Sequence, residues 1–356
     1  SRYPLKVAYE LPRAWKGDFP LWLSGGKALI KSSGNPAFDA SLVKVLQSRG
    51  METRVWVPEP SDFDDLENAR PIKQVQGMDL YIHSIPRARF GRKTRKSFYR
   101  EEVLSLFLLS RQAGKCLKGL LVLSDVGGTL APTEQNPAAP FFLNGVVPGF
   151  CQALEKDLPG IHARGVDLAE FSPPQAEMAL AMGLHPDAPP QTGISPEEKI
   201  ARFALSFVPL ASEKERVHSV LKEHLGPARV ILATGGGAGI TAHLLRRLAK
   251  EFQPKLIILG RSADRQDLVK ELRNLGSDVW YISCDLADGP AVDRTATLIR
   301  KTHPRIDLFL HGAGIEISRN LLNKTPEEID RVYRVKVAGL VNFLDAFGEN
   351  QIGNVV

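Results

Sequence analysis

Cysteine is scarce in this chain. There are three among 356 residues, Cys116, Cys151 and Cys284. None stands at a metal-ligand spacing from another, and so few argue against a disulfide framework. His83, His162, His185 and His303 show no ligand spacing either, so no metal site is expected. Long apolar runs are missing as well; nothing approaches the ~20 residues a membrane span needs. The opening Ser1-Arg2-Tyr3-Pro4-Leu5-Lys6 lacks the apolar core of a secretory signal. A cytoplasmic location with no membrane span is the expectation these absences support.

What remains is an ordinary globular composition, 43% hydrophobic and 24% charged, long enough for two domains. The net charge is +6. Much of it comes from one run, Arg87–Arg100, with Phe90, Phe98 and Tyr99 interleaved. Such a run fits nucleic acid or an acidic partner, and it fits equally a solvated loop leading into a helix.

The chemistry is concentrated later. Residues 228–241 read Ala-Arg-Val-Ile-Leu-Ala-Thr-Gly-Gly-Gly-Ala-Gly-Ile-Thr, an apolar strand running into a loop of four glycines. A helical pattern, Ala242–Phe252, follows at once. Glycines let the backbone approach a pyrophosphate, and a helix N-terminus offers free N–H groups and the positive end of its dipole. Thr234, Gly235, Gly236, Gly237, Ala238, Gly239 and Ile240 are therefore candidate cofactor ligands. Ile240 occupies the place of the last glycine of G-x-G-x-x-G. The fit is to Thr-Gly-x-x-x-Gly-x-Gly, with Thr241 replacing the final glycine.

Three more strand patterns end in polar or glycine turns. Lys255–Leu259 leads to Gly260-Arg261-Ser262, Val279–Ser283 to Cys284-Asp285-Leu286, and Ile306–Leu310 to His311-Gly312-Ala313-Gly314. Strands alternating with helices predict an α/β fold, a Rossmann-like doubly wound parallel sheet, and ligands bind at the carboxyl ends of its strands. No acidic residue follows Leu259 to hold ribose hydroxyls; Arg261 suits a 2′-phosphate instead, so NADPH is expected over NADH. Asp285 is expected to meet the adenine, to cap a helix, or both. His311 is expected to line the cleft.

The first part repeats the pattern without the loop. Lys27–Lys31 reads as a strand, Ala40–Ser48 as a helix and Thr53–Val57 as a strand, but Ser32-Ser33-Gly34-Asn35-Pro36 between them has one glycine and a proline. Proline offers no N–H. Residues 1–226 are thus expected to form a structural, non-binding Rossmann-like subdomain, and 227–356 the NADPH-binding one. Met78–His83, Leu120–Ser124 and His162–Val166 read as further strands, Glu101–Ala113 and Val146–Leu154 as helices. Asp125 reads as a strand-end cap. The Pro- and Ala-rich stretch Ser172–Ser195 reads as a surface linker. Ser195-Pro196-Glu197-Glu198 and Thr325-Pro326-Glu327-Glu328 read as capping boxes.

The segments Thr234–Thr241, Gly260-Arg261, Cys284-Asp285-Leu286 and His311–Gly314 resemble the ketoreductase domains of polyketide synthases and related polyunsaturated fatty acid synthases. These belong to the short-chain dehydrogenase/reductase superfamily. Val332-Tyr333-Arg334-Val335-Lys336-Val337-Ala338-Gly339 extends the resemblance, which places the catalytic lysine on Lys336. Ser124–Gly128 and Gly160–Leu168 are similar to segments of the family's silent partner subdomain. The resemblance implies a β-ketoacyl reductase using NADPH and Thr234–Ile240, Arg261, Ser262, Asp285, Leu286, His311, Gly312, Ala313 and Gly314 as cofactor contacts. It implies as partners an acyl carrier protein with a phosphopantetheine-bound β-ketoacyl substrate and neighbouring synthase domains. It favours such a carrier over nucleic acid as the occupant of the basic run.

The chain also departs from the family. Its chemistry needs a serine and a tyrosine downstream of the lysine, whereas this sequence stops at Val356, within what reads as the next strand. No tyrosine here has lysine or asparagine four residues on. The chain as given is expected to be inactive by itself, as a reductase domain incomplete at its C-terminus. A degenerate scaffold and a stand-alone dehydrogenase are the alternatives. After Gly314 it reads Ile315-Glu316-Ile317-Ser318-Arg319, without the Leu-Asp-Asp of one stereochemical class.

Overall fold

A computed structural model describes residues 20, 23–68, 70, 72, 75–86, 95–128, 146–194, 202–203, 225–263 and 265–356. The chain divides into two compact units, Ser1–Val208 with Arg319–Pro326, and Pro209–Ser318 with Glu327–Val356. Both are parallel sheets flanked by helices.

The first unit runs β1 (Lys27–Lys31), α1 (Pro36–Ser48), β2 (Glu52–Trp56), α2 (Pro60–Glu67), β3 (Leu80–Ile85), α3 (Arg95–Phe98), α4 (Ser105–Ala113), β4 (Gly119–Ser124), α5 (Val146–Asp157), β5 (His162–Leu168), α6 (Pro173–Gly183), β6 (Gln191–Ile194) and β7 (Arg202–Phe203). Its sheet order is β2-β1-β3-β4-β5-β6-β7, with only the last pair antiparallel. Every residue of β3 and β4 is buried. That matches central strands covered on both faces, which is why they read as continuous apolar runs.

Two expectations need correction here. Within the stretch read as a surface linker, residues 173–194 hold α6 and β6. Pro173 and Pro174 stand in the helix's first turn, where a missing N–H costs nothing. Ala176, Ala179, Leu180 and Met182 then join the core, and β6 pairs in parallel with β5. The helix expected over Glu101–Ala113 begins at Arg95 and contains a π-helical turn, Tyr99–Leu104. It shows no single apolar stripe, because Ser105 through Ser110 are all buried. The capping box at Ser195–Glu198 and residues 87–94 of the basic run lie outside the described residues.

The π turn carries Glu102 into the interior. Its Oε2 accepts from Lys31 Nζ at 2.7 Å and from His83 Nε2 at 3.0 Å, while Tyr81 donates its hydroxyl to His83 Nδ1 at 2.7 Å. All four side chains are buried. Burial, reinforced by the Lys31 charge, pushes His83 down to about 4. Below the ordinary histidine value of about 6.5 the unfolded chain binds a proton that folded His83 refuses, so stability falls with falling pH. Between pH 7 and pH 5 this loss is expected to be about 2 kcal/mol. Urea unfolding of wild type and His83→Asn at both pH values tests it, since the variant should lose that part of the pH dependence.

The turn after β1 shows why this unit lacks a phosphate cradle. Ser33 N–H donates to both carboxylate oxygens of Asp39, at 3.0 and 3.3 Å, and Gly34 N–H to Ser32 Oγ at 3.2 Å. Asn35 N–H donates to Ser33 Oγ, and Ala37 and Phe38 N–H to Asn35 Oδ1. The chain's own oxygens, one of them a buried carboxylate, use the donors an anion would need.

The second unit runs β8 (Val230–Thr234), α7 (Gly239–Phe252), β9 (Lys255–Gly260), α8 (Gln266–Asn274), β10 (Val279–Ser283), α9 (Gly289–Thr302), β11 (Ile306–His311), α10 (Glu327–Tyr333 of a helix starting at Pro326), α11 (Gly339–Phe347) and β12 (Ile352–Val355). A π-helical turn, Arg334–Ala338, joins α10 to α11. The sheet order is β10-β9-β8-β11-β12, all parallel. Alternation splits the strands between two cores. Val230, Leu232, Ile257 and Leu259 pack with Phe309, Phe343 and Phe347, and Ile231, Ala233 and Ile258 pack with Leu245, Leu248 and Leu272. The doubly wound α/β fold read from the sequence is therefore present. Among the described residues no helix is long and apolar enough to cross a membrane.

Candidate functional site

The carboxyl ends of β8, β9, β10 and β11 open on a cleft of about 650 Å³. Gly235, Gly237, Ala238, Gly239 and Ile240 form one wall, Arg261 and Ser262 the β9 end, Asp285 and Leu286 the β10 end, and Gly312, Ala313 and Gly314 the β11 side. Twelve of the sixteen sequence-derived candidates thus share one cleft, and four stand apart from its lining.

Gly235 is tied down by its surroundings. Its φ is +68°, and a methyl there would stand 2.5 Å from the Gly312 carbonyl oxygen. Gly236 faces the core instead of a ligand, because a methyl on it would lie 2.8 Å from both Ile258 Cγ2 and Leu245 Cδ1. Thr241, in place of the motif's last glycine, packs its hydroxyl and Cβ against Gly312. The two positions should therefore be coupled. Gly312→Ala should destabilise by about 1–3 kcal/mol, the usual range for overpacking. Adding Thr241→Ala should recover most of that, by thermal unfolding; simple additivity would contradict the contact.

Thr234 and His311 lie behind the wall, paired across neighbouring strands. His311 Nε2 lies 2.9 Å from the Lys336 carbonyl oxygen, which can only accept. Nε2 therefore carries the proton and Nδ1 accepts from Thr234 Oγ1, at 2.9 Å. Thr234 Oγ1 in turn accepts Ala313 N–H at 3.3 Å. Burial holds His311 below the ordinary histidine range, although the bond to the Lys336 carbonyl opposes it. The histidine expected to line the cleft is thus a strut, linking β8, β11 and the turn that bears Lys336.

Lys336 is exposed, and its side chain crosses Gly314. Its Nζ lies 3.9 Å from Glu316 Oε2, and Glu316 itself lines the cleft. Asp285 is not the helix cap that the sequence allowed. It accepts Ala287 N–H at 3.0 Å within its own turn, while Asp288 caps α9 through Ala291 N–H at 3.2 Å. Burial pushes the Cys284 thiol, also in the cleft, upward.

Arg265 and Tyr281 line the cleft too, and sequence reasoning missed both. Tyr281 donates to the Ser262 carbonyl at 2.9 Å, bracing the turn after β9. Only the β9–β10 register, Tyr281 opposite Ile258, brings that hydroxyl to the turn. Among the described residues no cluster of His, Cys, Asp and Glu could hold a metal ion. A dinucleotide fits the donor set: a glycine cradle that a side chain would fill, a helix N-terminus behind it, and guanidinium groups at the β9 end.

Residues 229–356 match the family model described as KR domain. Erythronolide synthase EryA3 of Saccharopolyspora erythraea is 32% identical over 214 residues, 57% of this chain and 6% of that protein. Polyketide synthase PksN of Bacillus subtilis is 35% identical over 121 residues, 33% of this chain and 2% of that one. The chain thus spans a small part of these relatives. An N-terminal ketoreductase from the macrolactin assembly line superposes with a TM-score of 0.65 at 17% identity, covering 98% of this chain and 71% of that one. A-type ketoreductases from a modular polyketide synthase give 0.65 at 18%, covering 98% and 72%. Residues 229–356 are thus similar to KR domains, and the relatives that share this region are polyketide synthases.

Proposed function

We propose that the chain supplies the cofactor-binding part of an NADPH-dependent β-ketoacyl reductase. The observation carrying this reading is the cleft itself: a glycine cradle at β8 and an Arg261 at β9 that no carboxylate pairs among the described residues, with Lys336 beside Gly314. When bound, NADPH supplies a hydride to a β-carbonyl carbon. The chain's own residues then have distinct tasks. N–H groups of the Gly237–Ile240 part of the loop hold the pyrophosphate, the Gly235 N–H being donated to the Leu259 carbonyl; Arg261 and Ser262 hold the 2′-phosphate, and Asp285 and Leu286 the adenine. The ammonium of Lys336 would favour the anionic form of a proton donor placed beside it and so lower that donor's pKa. The substrate would be a β-ketoacyl chain on the phosphopantetheine arm of an acyl carrier protein, presented among neighbouring synthase domains in the cytoplasm.

The first unit is the structural partner in this reading, supported by the Asp39-saturated turn. The reading of the cofactor is tested by titrating NADPH and NADH against wild type and Arg261→Ala. Losing a charged hydrogen-bonded contact should cost about 1.5–3 kcal/mol for NADPH alone. Equal affinity of wild type for both cofactors would overturn the NADPH assignment.

A further inference from the structure

Arg265 is left without a task by the family motif, yet it opens α8 with its side chain laid along the glycine-rich loop. Its Nε stands 3.4 Å from where a Cβ on Gly237 would be, its Cγ 3.8 Å and its Cδ 3.9 Å. It is half-buried and shares the cleft with Arg261. Among the described residues no carboxylate pairs with its guanidinium. The loop wall it lies against, Thr234–Thr241, has no basic residue of its own. A partly desolvated, unpaired guanidinium is costly unless an anion meets it.

We propose that Arg265 is a second specificity-determining residue of the cleft, gripping the 2′-phosphate from the glycine-loop side while Arg261 grips it from the strand end. The proposal rests on reading the cleft as a nicotinamide dinucleotide site. A phosphate monoester carries about −1.5 to −2 charge near neutrality, so one exposed arginine leaves much of it uncompensated. Two planar guanidinium groups can each offer paired donors to its oxygens. The Arg261 side is held in place, since Tyr281 bonds the Ser262 carbonyl and Ser283 Oγ donates to the Arg261 carbonyl at 3.4 Å.

The test uses the full chain as wild type, Arg265→Ala, Arg265→Lys and Arg261→Ala, titrated with NADPH, NADH, 2′,5′-ADP and 5′-AMP. Arg265→Ala should weaken NADPH and 2′,5′-ADP about tenfold or more. NADH and 5′-AMP should change by less than about twofold, and Arg265→Lys should recover part of the loss. If the alanine variant does not fold, Arg265→Gln gives the same comparison. Unchanged NADPH affinity in Arg265→Ala, with a loss in Arg261→Ala, would overturn the role of Arg265 and leave the cleft reading intact. Equal losses for NADPH and NADH would also overturn it, making Arg265 a brace for the loop. A wild type that binds neither coenzyme would overturn the cleft reading itself.

Discussion

Gly235→Ala should abolish cofactor binding, raising the Kd for NADPH by more than about a hundredfold. Two effects add. The residue sits at φ +68°, where a side chain costs about 1 kcal/mol or more. Its new methyl would also stand 2.5 Å from the Gly312 carbonyl oxygen and 2.7 Å from Ala313 N. Both are backbone atoms, so no rotamer change relieves the contact. The β8 and β11 turns must move apart, and these turns are two walls of the cleft. A stability loss of about 2–4 kcal/mol should accompany the binding loss. Gly289→Ala is the control, because its added methyl meets nothing within 4 Å. Measured by NADPH fluorescence, full binding in Gly235→Ala would contradict the geometry.

The second large effect concerns turnover. Reduction of a carbonyl needs a proton for the developing alkoxide as well as a hydride. The tyrosine lining the cleft is Tyr281, whose hydroxyl is donated to the Ser262 carbonyl at the β9 end. No tyrosine hydroxyl lines the cleft next to Lys336 and Gly314 among the described residues. A positioned general acid is worth about 10²–10⁴-fold. NADPH oxidation by this chain with a β-ketoacyl thioester mimic should therefore run that far below a ketoreductase with such a donor, while NADPH binding persists. Turnover within about tenfold of that reference would mean another group donates the proton.

Strand positions were readable because both faces of each central strand are covered, leaving unbroken apolar runs such as Val-Ile-Leu-Ala-Thr and Leu-Ile-Ile-Leu. Helix starts were less readable; Pro36 and Pro173 open helices yet look like breakers in a linear reading. The return of Arg319–Pro326 to the first unit left no local trace. There Leu321 is buried and donates its N–H to Asp157 Oδ2 at 2.8 Å, a partner 164 residues away. In the site, the turn residues were legible because glycine and strand-end polar residues mark ligand-facing backbone. Thr234, Gly236 and His311 were drawn into the cleft by belonging to the same motifs, whereas their side-chain positions point to packing and bracing. Arg265 and Tyr281 were missed because their approach to the cleft depends on strand register and on how α8 begins.

We propose that the second unit holds one dinucleotide and the first holds none, its turn donors being taken by Asp39, Ser32, Ser33 and Asn35. Calorimetric titration of the 356-residue chain with NADPH tests this most directly. Saturation at one NADPH per chain is expected; saturation at two, or no binding at all, would rule this assignment out.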